Sequence, residues 1–195
     1  LNLCNKNMVK MDTNNNDGKA KHKLLLEVCM AAKYEGDSIK TYYTPYQQTN
    51  KDSDSQICTV LARSFADIGD IVRGRDLYRG NKQEKEQRDE IEKNLKTIFG
   101  KIYEELIKKK TNKEAAEARY KDNDKNFFKL REDWWTANRA TVWKAITCEA
   151  PESAQYFGGT CRGHGKYPTL AKVKCRCDGA NIVPTYFDYV PQYLR

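Results

Sequence analysis

The sequence has 195 residues, of which 39% are hydrophobic and 32% are charged, and its formal net charge is +8. This size allows one good-sized domain or two small ones, and the low hydrophobic content indicates a core that needs covalent support. The longest apolar stretch, Leu24 to Ala32, is interrupted by Glu27 and is far shorter than the ~20 residues of a membrane span, which excludes a spanning helix in this sequence.

One short helix between polar segments is predicted near the N-terminus. Residues 1–21 are rich in Asn and indicate an irregular arm. A helix is predicted over Lys23–Tyr34, with Gly36 as its stop, because glycine is favoured just after a helix. Residues 37–55 are polar and are predicted to form a connection. We therefore assign residues 1–56 to an arm, a short helix and a loop.

From position 57, apolar residues recur at steps of three and four, which predicts one buried stripe along an α-helix. The stripe consists of Ile57, Leu61, Phe65, Ile68 and Val72. Charged residues at the same spacing lie off the stripe, at Arg63, Asp67, Asp70 and Arg73. Because carboxylates and guanidinium groups one turn apart can pair, we interpret this helix as structural and self-paired rather than catalytic.

Further helices complete a predicted bundle core over residues 57–150. A long amphipathic helix is predicted over Lys82–Lys110 and a short one over Glu114–Tyr120. The helix predicted over Leu130–Ile146 is apolar on two sides, which indicates a position inside the bundle. It holds all three tryptophans, Trp134, Trp135 and Trp143, which we assign to the core rather than to a ligand-stacking platform.

Disulfides in an oxidising compartment are the favoured interpretation of the cysteines. There are seven: Cys4, Cys29, Cys58, Cys148, Cys161, Cys175 and Cys177. Because the number is odd, one thiol is free or has its partner outside this sequence, and the second alternative is favoured by a start without Met. Cys58 begins one predicted helix and Cys148 ends another. An antiparallel arrangement would bring these two together, so we predict a Cys58–Cys148 disulfide.

Residues 151–195 are predicted to form a basic loop rich in Gly and Cys, followed by the start of a helix at Pro191. No acid occurs from Ser153 to Cys177, and the cations of this stretch are Arg162, Lys166, Lys172, Lys174 and Arg176. A second cluster comprises Lys19, Lys21 and Lys23. These residues are candidates for binding a sulfated glycan, and the alternative is that each run is only a solvated face.

Other functions have less support. Only His22 and His164 could serve a Ser–His or Cys–His centre, so the chain is predicted not to be an enzyme and to need no cofactor. The alternative function is a basic zinc- or nucleic-acid-binding helical module. Cys161, His164, Cys175 and Cys177 could bind zinc, but the Cys-x-Cys spacing is wrong for common zinc knuckles. Nucleic-acid binding would depend on charge alone, because Tyr167 is the only stacking aromatic in the basic loop.

Four segments closely resemble Duffy-binding-like domains: Ala62–Tyr78, Leu130–Arg139, Val142–Cys148 and Asp188–Arg195. Residues 24–36 and 183–188 are most similar to the alpha class of the malaria-parasite erythrocyte membrane protein 1 variant antigens. Several long motifs in the right order make this resemblance specific, and it covers nearly the whole chain. It implies an all-α, disulfide-braced helical bundle with long irregular loops, formed by subdomains 1 and 2 and ending before the third subdomain.

The resemblance also implies a function. It implies an adhesion module at the surface of the infected host cell, with the membrane anchor in absent parts of the parent protein. The implied partners are a receptor on erythrocytes or endothelium and host antibodies, which variation between copies evades. The alpha class is associated with rosetting through heparan-sulfate-like glycans, blood-group sugars or complement receptor. The quoted motifs are framework, so no binding residue carries over from them.

Overall fold

Four long helices dominate the part of the chain that the computed structural model describes, which is residues 3–14, 18–49, 56–77, 80–108, 113–161, 169–178 and 181–195. The helices of this part are α1 (Lys6–Val9), α2 (Ala20–Thr49), α3 (Gln56–Arg73), α4 (Lys82–Lys108), α5 (Lys113–Tyr120) and α6 (Phe128–Ile146). None of them is long and apolar enough to cross a membrane. The predicted helical bundle is confirmed.

A small antiparallel hairpin was absent from the sequence prediction. Strand β1 (Tyr156–Cys161) pairs with β2 (Thr169–Ala171), and Tyr156 lies opposite Ala171. Two 3₁₀ turns follow, at Phe187–Tyr189 and Gln192–Leu194. The basic loop is therefore built in part on a sheet, which places residues 162–168 between two paired strands in the sequence.

Helix α2 does not stop at Gly36, and this prediction is wrong. The helix continues to Thr49, through most of the predicted polar connection. Gly36 serves a different purpose, because a Cβ atom there would lie 2.0 Å from the carbonyl oxygen of Ile146. Only glycine lets α2 and the end of α6 approach this closely, so the residue marks a helix contact and not a helix end.

The predicted stripe on α3 and the predicted core position of the tryptophans are confirmed. Every residue of the stripe is buried, and Trp135 and Trp143 are 0% and 1% exposed. The Phe65 ring lies between them, with centroids 5.1 Å from Trp135 and 5.2 Å from Trp143. Gly69 gives Trp135 its space, since a Cβ there would lie 2.7 Å from the indole. Helices α3 and α6 thus share one aromatic core.

The predicted Cys58–Cys148 disulfide is wrong. Cys58 bonds Cys175, and a second disulfide joins Cys161 to Cys177. Cys148 follows the end of α6 and is exposed, whereas Cys58 and Cys175 are completely buried. The chain after β2 returns beneath the end of α6, where Cys175 donates its backbone N–H to Ala154 and accepts a bond from Trp143 Nε1. Cys175 therefore occupies the place that the prediction gave to Cys148.

The disulfides also contradict the zinc alternative. Cys161, Cys175 and Cys177 are oxidised, so they offer no thiolate to a metal. His164, the fourth ligand of that hypothesis, lies outside the described residues.

Gly36→Ala is expected to destabilise the chain by about 1–3 kcal/mol, because the new methyl group must push α2 and α6 apart. Gly100→Ala in α4 is the matched control, since a Cβ there would lie 3.6 Å from Phe127 Cε2, an ordinary contact. The control should be neutral or gain up to about 1 kcal/mol from helix propensity. Urea unfolding measures the free energy of unfolding of both variants. Equal values for Gly36→Ala and Gly100→Ala would contradict the close contact between α2 and α6.

Candidate functional site

The basic hairpin surface, which we define as Lys172, Lys174 and Arg176, lies beside the C-terminal end of α6. Lys172 is exposed, and the other two are partly buried. Lys174 and Cys175 both have positive φ, 50° and 56°, in the tight turn that joins Val173 to Arg176. A left-handed backbone is unfavourable for residues other than glycine, so the disulfide and hydrogen bonds of Cys175 must hold this turn in place.

Arg176 caps helix α6, and Lys174 bonds the turn that follows the helix. Arg176 donates from Nη2 to the carbonyl oxygen of Lys144 at 2.7 Å and from Nε to Thr147 Oγ1 at 2.8 Å. Lys174 Nζ donates to the carbonyl oxygen of Cys148 at 3.2 Å and lies 3.2 Å from Glu152 Oε1. Positive charge at the C-terminal end of a helix satisfies the last carbonyls and complements the helix dipole. The side chains of Lys174 and Arg176 are thus engaged in contacts within the fold. Lys172 is the exposed cation of the hairpin surface.

Of the remaining glycan candidates, the three N-terminal lysines do not lie beside the hairpin surface. Arg162 and Lys166 lie outside the described residues. Lys19, Lys21 and Lys23 lie at the start of α2, where the backbone N–H of Ala20 bonds Glu105 in α4 at 3.0 Å. The hairpin surface lies much farther along α2, near Lys40, which pairs with Glu149 at 3.6 Å. At 1.5 Å per residue, the two basic clusters are roughly 25 Å apart.

A buried charge cluster, which we define as Asp67, Asp70, Arg73, Arg139, Asp188 and Arg195, joins α3 and α6 to the C-terminal segment. The Asp188 carboxylate, 0% exposed, accepts two bonds of 2.8 Å from Arg139 and one of 2.9 Å from Trp135 Nε1. Arg73 pairs with Asp70 at 3.0 Å and also donates to the Asp188 carbonyl oxygen. Within the described residues, the side chains that bond Asp188 come from α3 and α6.

Arg195 joins the C-terminal segment to the carboxylates of α3 in the charge cluster. Its guanidinium lies 3.2 Å from Asp67 and also pairs with Asp70. It donates to the carbonyl oxygens of Phe187 and Val190 at 2.9 and 3.1 Å. Burial raises the pKa of Asp67 and of Asp70 above the ordinary value, and Arg195 opposes part of that rise. The spacing of Asp67, Asp70 and Arg73 was visible in the sequence, but their distant partners were not.

Exposed aromatic residues cover the charge cluster. Arg139 lies 5.4 Å from the ring centroids of both Tyr186 and Tyr189, and the Tyr189 hydroxyl lies 3.2 Å from Thr136 Oγ1. We define the tyrosine face as the exposed side chains of Leu77, Tyr186, Tyr189, Tyr193 and Leu194. Such a surface of tyrosine over arginine has the composition of protein interfaces.

Within the described residues, the candidates for catalytic groups that the sequence offers are His22 and the carboxylates of α3. His22 is exposed at the start of α2. Among the described residues there is no group of three or more His, Cys, Asp or Glu side chains that could hold a metal ion. Each carboxylate of the charge cluster is paired with an arginine, which indicates a structural role for these carboxylates.

The comparisons with known proteins give one family. The sequence model of the Duffy binding domain matches residues 1–195. The NTS-DBL1(alpha-1) domain of Plasmodium falciparum membrane protein 1 (PfEMP1) from the varO strain is 41% identical, with a TM-score of 0.73 over 98% of this chain and 39% of its own. The ICAM-1-binding DBLbeta domain of PfEMP1 IT4var13 is 31% identical, with a TM-score of 0.67 over 96% and 38%. No curated protein matches. The chain therefore spans about two fifths of these solved chains.

Arg176→Ala is expected to lower the free energy of unfolding by about 1–2 kcal/mol, because it removes two hydrogen bonds at the end of α6. Lys172→Ala, the control on the same hairpin surface, should change it by less than about 0.5 kcal/mol. Urea unfolding at neutral pH compares them. A small and equal effect for both would mean that Arg176 does not cap the helix.

Arg195→Ala is expected to raise the pKa of Asp67 and of Asp70 further, because the guanidinium that lowers both is removed. A native carboxyl with a raised pKa binds its proton more tightly than the unfolded chain does, so it costs stability above that pKa. The variant should be less stable than the parent chain at pH 7, and this deficit should shrink as the pH falls towards about 4.

Urea unfolding at pH 7 and at mildly acidic pH measures this deficit. Arg63→Ala is the control, because Arg63 is exposed on the same helix. A deficit for Arg195→Ala that grows on acidification would contradict the assigned ion pairs.

Proposed function

Since the chain belongs to the Duffy binding domain family, we propose that it is an adhesion module that binds a host surface receptor and is displayed on infected erythrocytes. Two solved relatives with at least 30% identity support this proposal, because the IT4var13 DBLbeta domain is described as ICAM-1-binding, and both it and a second PfEMP1 DBL domain have been solved bound to ICAM-1. The proposal assigns the chain no catalytic role. Its receptor is an erythrocyte or endothelial surface molecule.

A sulfated glycan is the proposed ligand of the basic hairpin region. The observation that carries this proposal is Lys172, an exposed cation next to strand β2, within a stretch that has no acid from Ser153 to Cys177. Arg162 and Lys166 belong to the same stretch, in the connection between β1 and β2. A sulfated chain would gain affinity by releasing counterions when these cations neutralise its charge. Lys174 and Arg176 would hold the hairpin in place rather than contact the glycan.

The N-terminal cluster of Lys19, Lys21 and Lys23 is proposed as a second contact. Since it lies roughly 25 Å from the hairpin surface along α2, only a glycan chain long enough to span that distance would reach both. Binding at both places would raise the overall affinity through an effective local concentration. Long heparin fragments should therefore bind more tightly than short ones, by a larger factor than their additional charges alone would give.

Replacing Arg162, Lys166 and Lys172 together by Gln is expected to weaken heparin binding. The slope of log binding constant against log salt concentration should also become shallower, by about one for each cation that no longer neutralises a sulfate. The matched control replaces Lys82, Lys85 and Lys129 by Gln, which removes the same charge. Lys129 lies at the opposite end of α6 from the hairpin. The measurement is the heparin affinity of both variants across a series of salt concentrations. Equal losses of affinity in the two variants would show that net charge, and not this site, binds heparin.

The nucleic-acid alternative makes a different prediction for competition. A glycan-specific surface should release heparin less readily to duplex DNA of equal charge than to a second sulfated glycan. Binding of the oxidised chain to uninfected red cells, with and without soluble heparin, then tests the adhesion role itself. Heparin-sensitive binding supports the proposal, and the absence of any cell binding would place the receptor site outside these residues.

A further inference from the structure

An open groove lies between helix α4 and the turn that joins α5 to α6. One side is formed by α4 between Asp89 and Glu104 and the other by residues 121–127, and we call it the α4 groove. Because this turn directly precedes α6, the groove lies at the opposite end of α6 from the hairpin surface. Its volume is about 1430 Å³, which exceeds the roughly 300–1,000 Å³ of a typical small-molecule pocket. The groove therefore has the size for a segment of a macromolecule.

The floor of the α4 groove is aromatic. Phe127 is 8% exposed, and its ring centroid lies 5.7 Å from that of the half-buried Tyr103. Gly100 lines the groove without a side chain, and a Cβ atom there would lie 3.6 Å from the Phe127 ring. Because no side chain stands at Gly100, an apolar group of a ligand can reach this floor and pack against the two rings.

The wall opposite α4 is held in one shape. Lys125 and Phe127 have φ of 55° and 54°, a left-handed backbone that is unfavourable for residues other than glycine. The Asp122 carboxylate holds this turn by accepting bonds from the backbone N–H groups of Asp124, Asn126 and Phe127, at 3.0, 3.0 and 2.6 Å. Unfavourable backbone that its surroundings hold in place is concentrated at binding sites. A wall ordered in advance also lowers the entropy cost of binding.

Charged side chains of both signs line the groove and make no ion pair within the described residues. They are Lys96, Lys121 and Lys125, and Asp89, Glu104 and Asp124. The acids would repel a uniform polyanion such as a sulfated glycan. A purely apolar ligand would desolvate these charges without pairing them, which is unfavourable. A protein segment that carries charges of both signs complements the groove better than either of these ligands.

We infer that the α4 groove docks a polypeptide segment of the host receptor. The segment packs an aromatic or aliphatic side chain on Phe127 and Tyr103, and it presents an acid to Lys96 and a base to Glu104. This inference rests on the proposed receptor-binding function and adds a ligand class to it. The groove takes protein, whereas the hairpin region at the other end of α6 takes a sulfated glycan.

Selection of random twelve-residue peptides displayed on phage, against the oxidised 195-residue chain, tests this inference. The selected peptides should combine an aromatic residue with an acid and a base. Gly100→Leu, which fills the floor without changing the charge, should weaken the tightest peptide at least about tenfold. The control is Ala137→Leu, at an exposed position of α6 outside the groove, and it should leave the affinity unchanged. The inference is overturned if no selected peptide distinguishes Gly100→Leu from the control.

A charge exchange gives an independent measurement that does not depend on the fold of the Gly100→Leu variant. Lys96→Glu, on the exposed side of α4, should weaken the same peptide, and replacing the acid of the peptide by Lys should restore part of the affinity. Failure of every such exchange to restore binding would contradict the assigned complementarity.

Heparin separates this inference from the glycan proposal. Heparin binding should survive Gly100→Leu, and peptide binding should survive the replacement of Arg162, Lys166 and Lys172 by Gln. Each proposal can therefore fail while the other holds. Loss of heparin binding, rather than of peptide binding, in Gly100→Leu would identify the groove as a polyanion site and would overturn the inference.

Discussion

The carboxylate of Asp188 is completely buried, and the rest of the structure depends on how its charge is satisfied. A buried charge without partners is strongly unfavourable, so Arg139 and Trp135 must both be in place. The Arg73 side chain adds a bond to the backbone carbonyl oxygen of Asp188. That requirement fixes the C-terminal segment against α3 and α6. It also explains why Gly69 must be small, since Trp135 can reach Asp188 only by packing against it.

Helix α6 packs against two parts of the structure. Its side chains Trp134, Trp135 and Trp143 belong to the aromatic core, and Arg139 belongs to the charge cluster. Its C-terminal end is covered by the hairpin, whose Arg176 bonds the carbonyl oxygen of Lys144 and whose Lys174 bonds that of Cys148 in the turn after the helix. The two disulfides join this region to α3 and β1. The framework thus fixes the hairpin against the end of α6.

Local periodicity was enough to predict α3, the long α4 and the buried tryptophans of α6, because those features depend on residues three or four positions apart. Gly36 was misread, since a glycine that ends a helix and one that permits a helix contact are alike in the sequence. The pairing of Cys58 with Cys175 depends on a turn 117 residues away. Likewise, a basic run does not reveal that one of its cations caps a helix and another bonds the turn after it.

The free energy of unfolding of Asp188→Asn tests this account most directly. The substitution keeps the shape of the side chain and removes its charge, which leaves Arg139 without its counterion. We expect a loss of about 3 kcal/mol or more in urea unfolding at pH 7, as for other buried ion pairs that lose one partner. A loss below about 0.5 kcal/mol, the level of an ordinary surface substitution, would show that the C-terminal segment is held by other means.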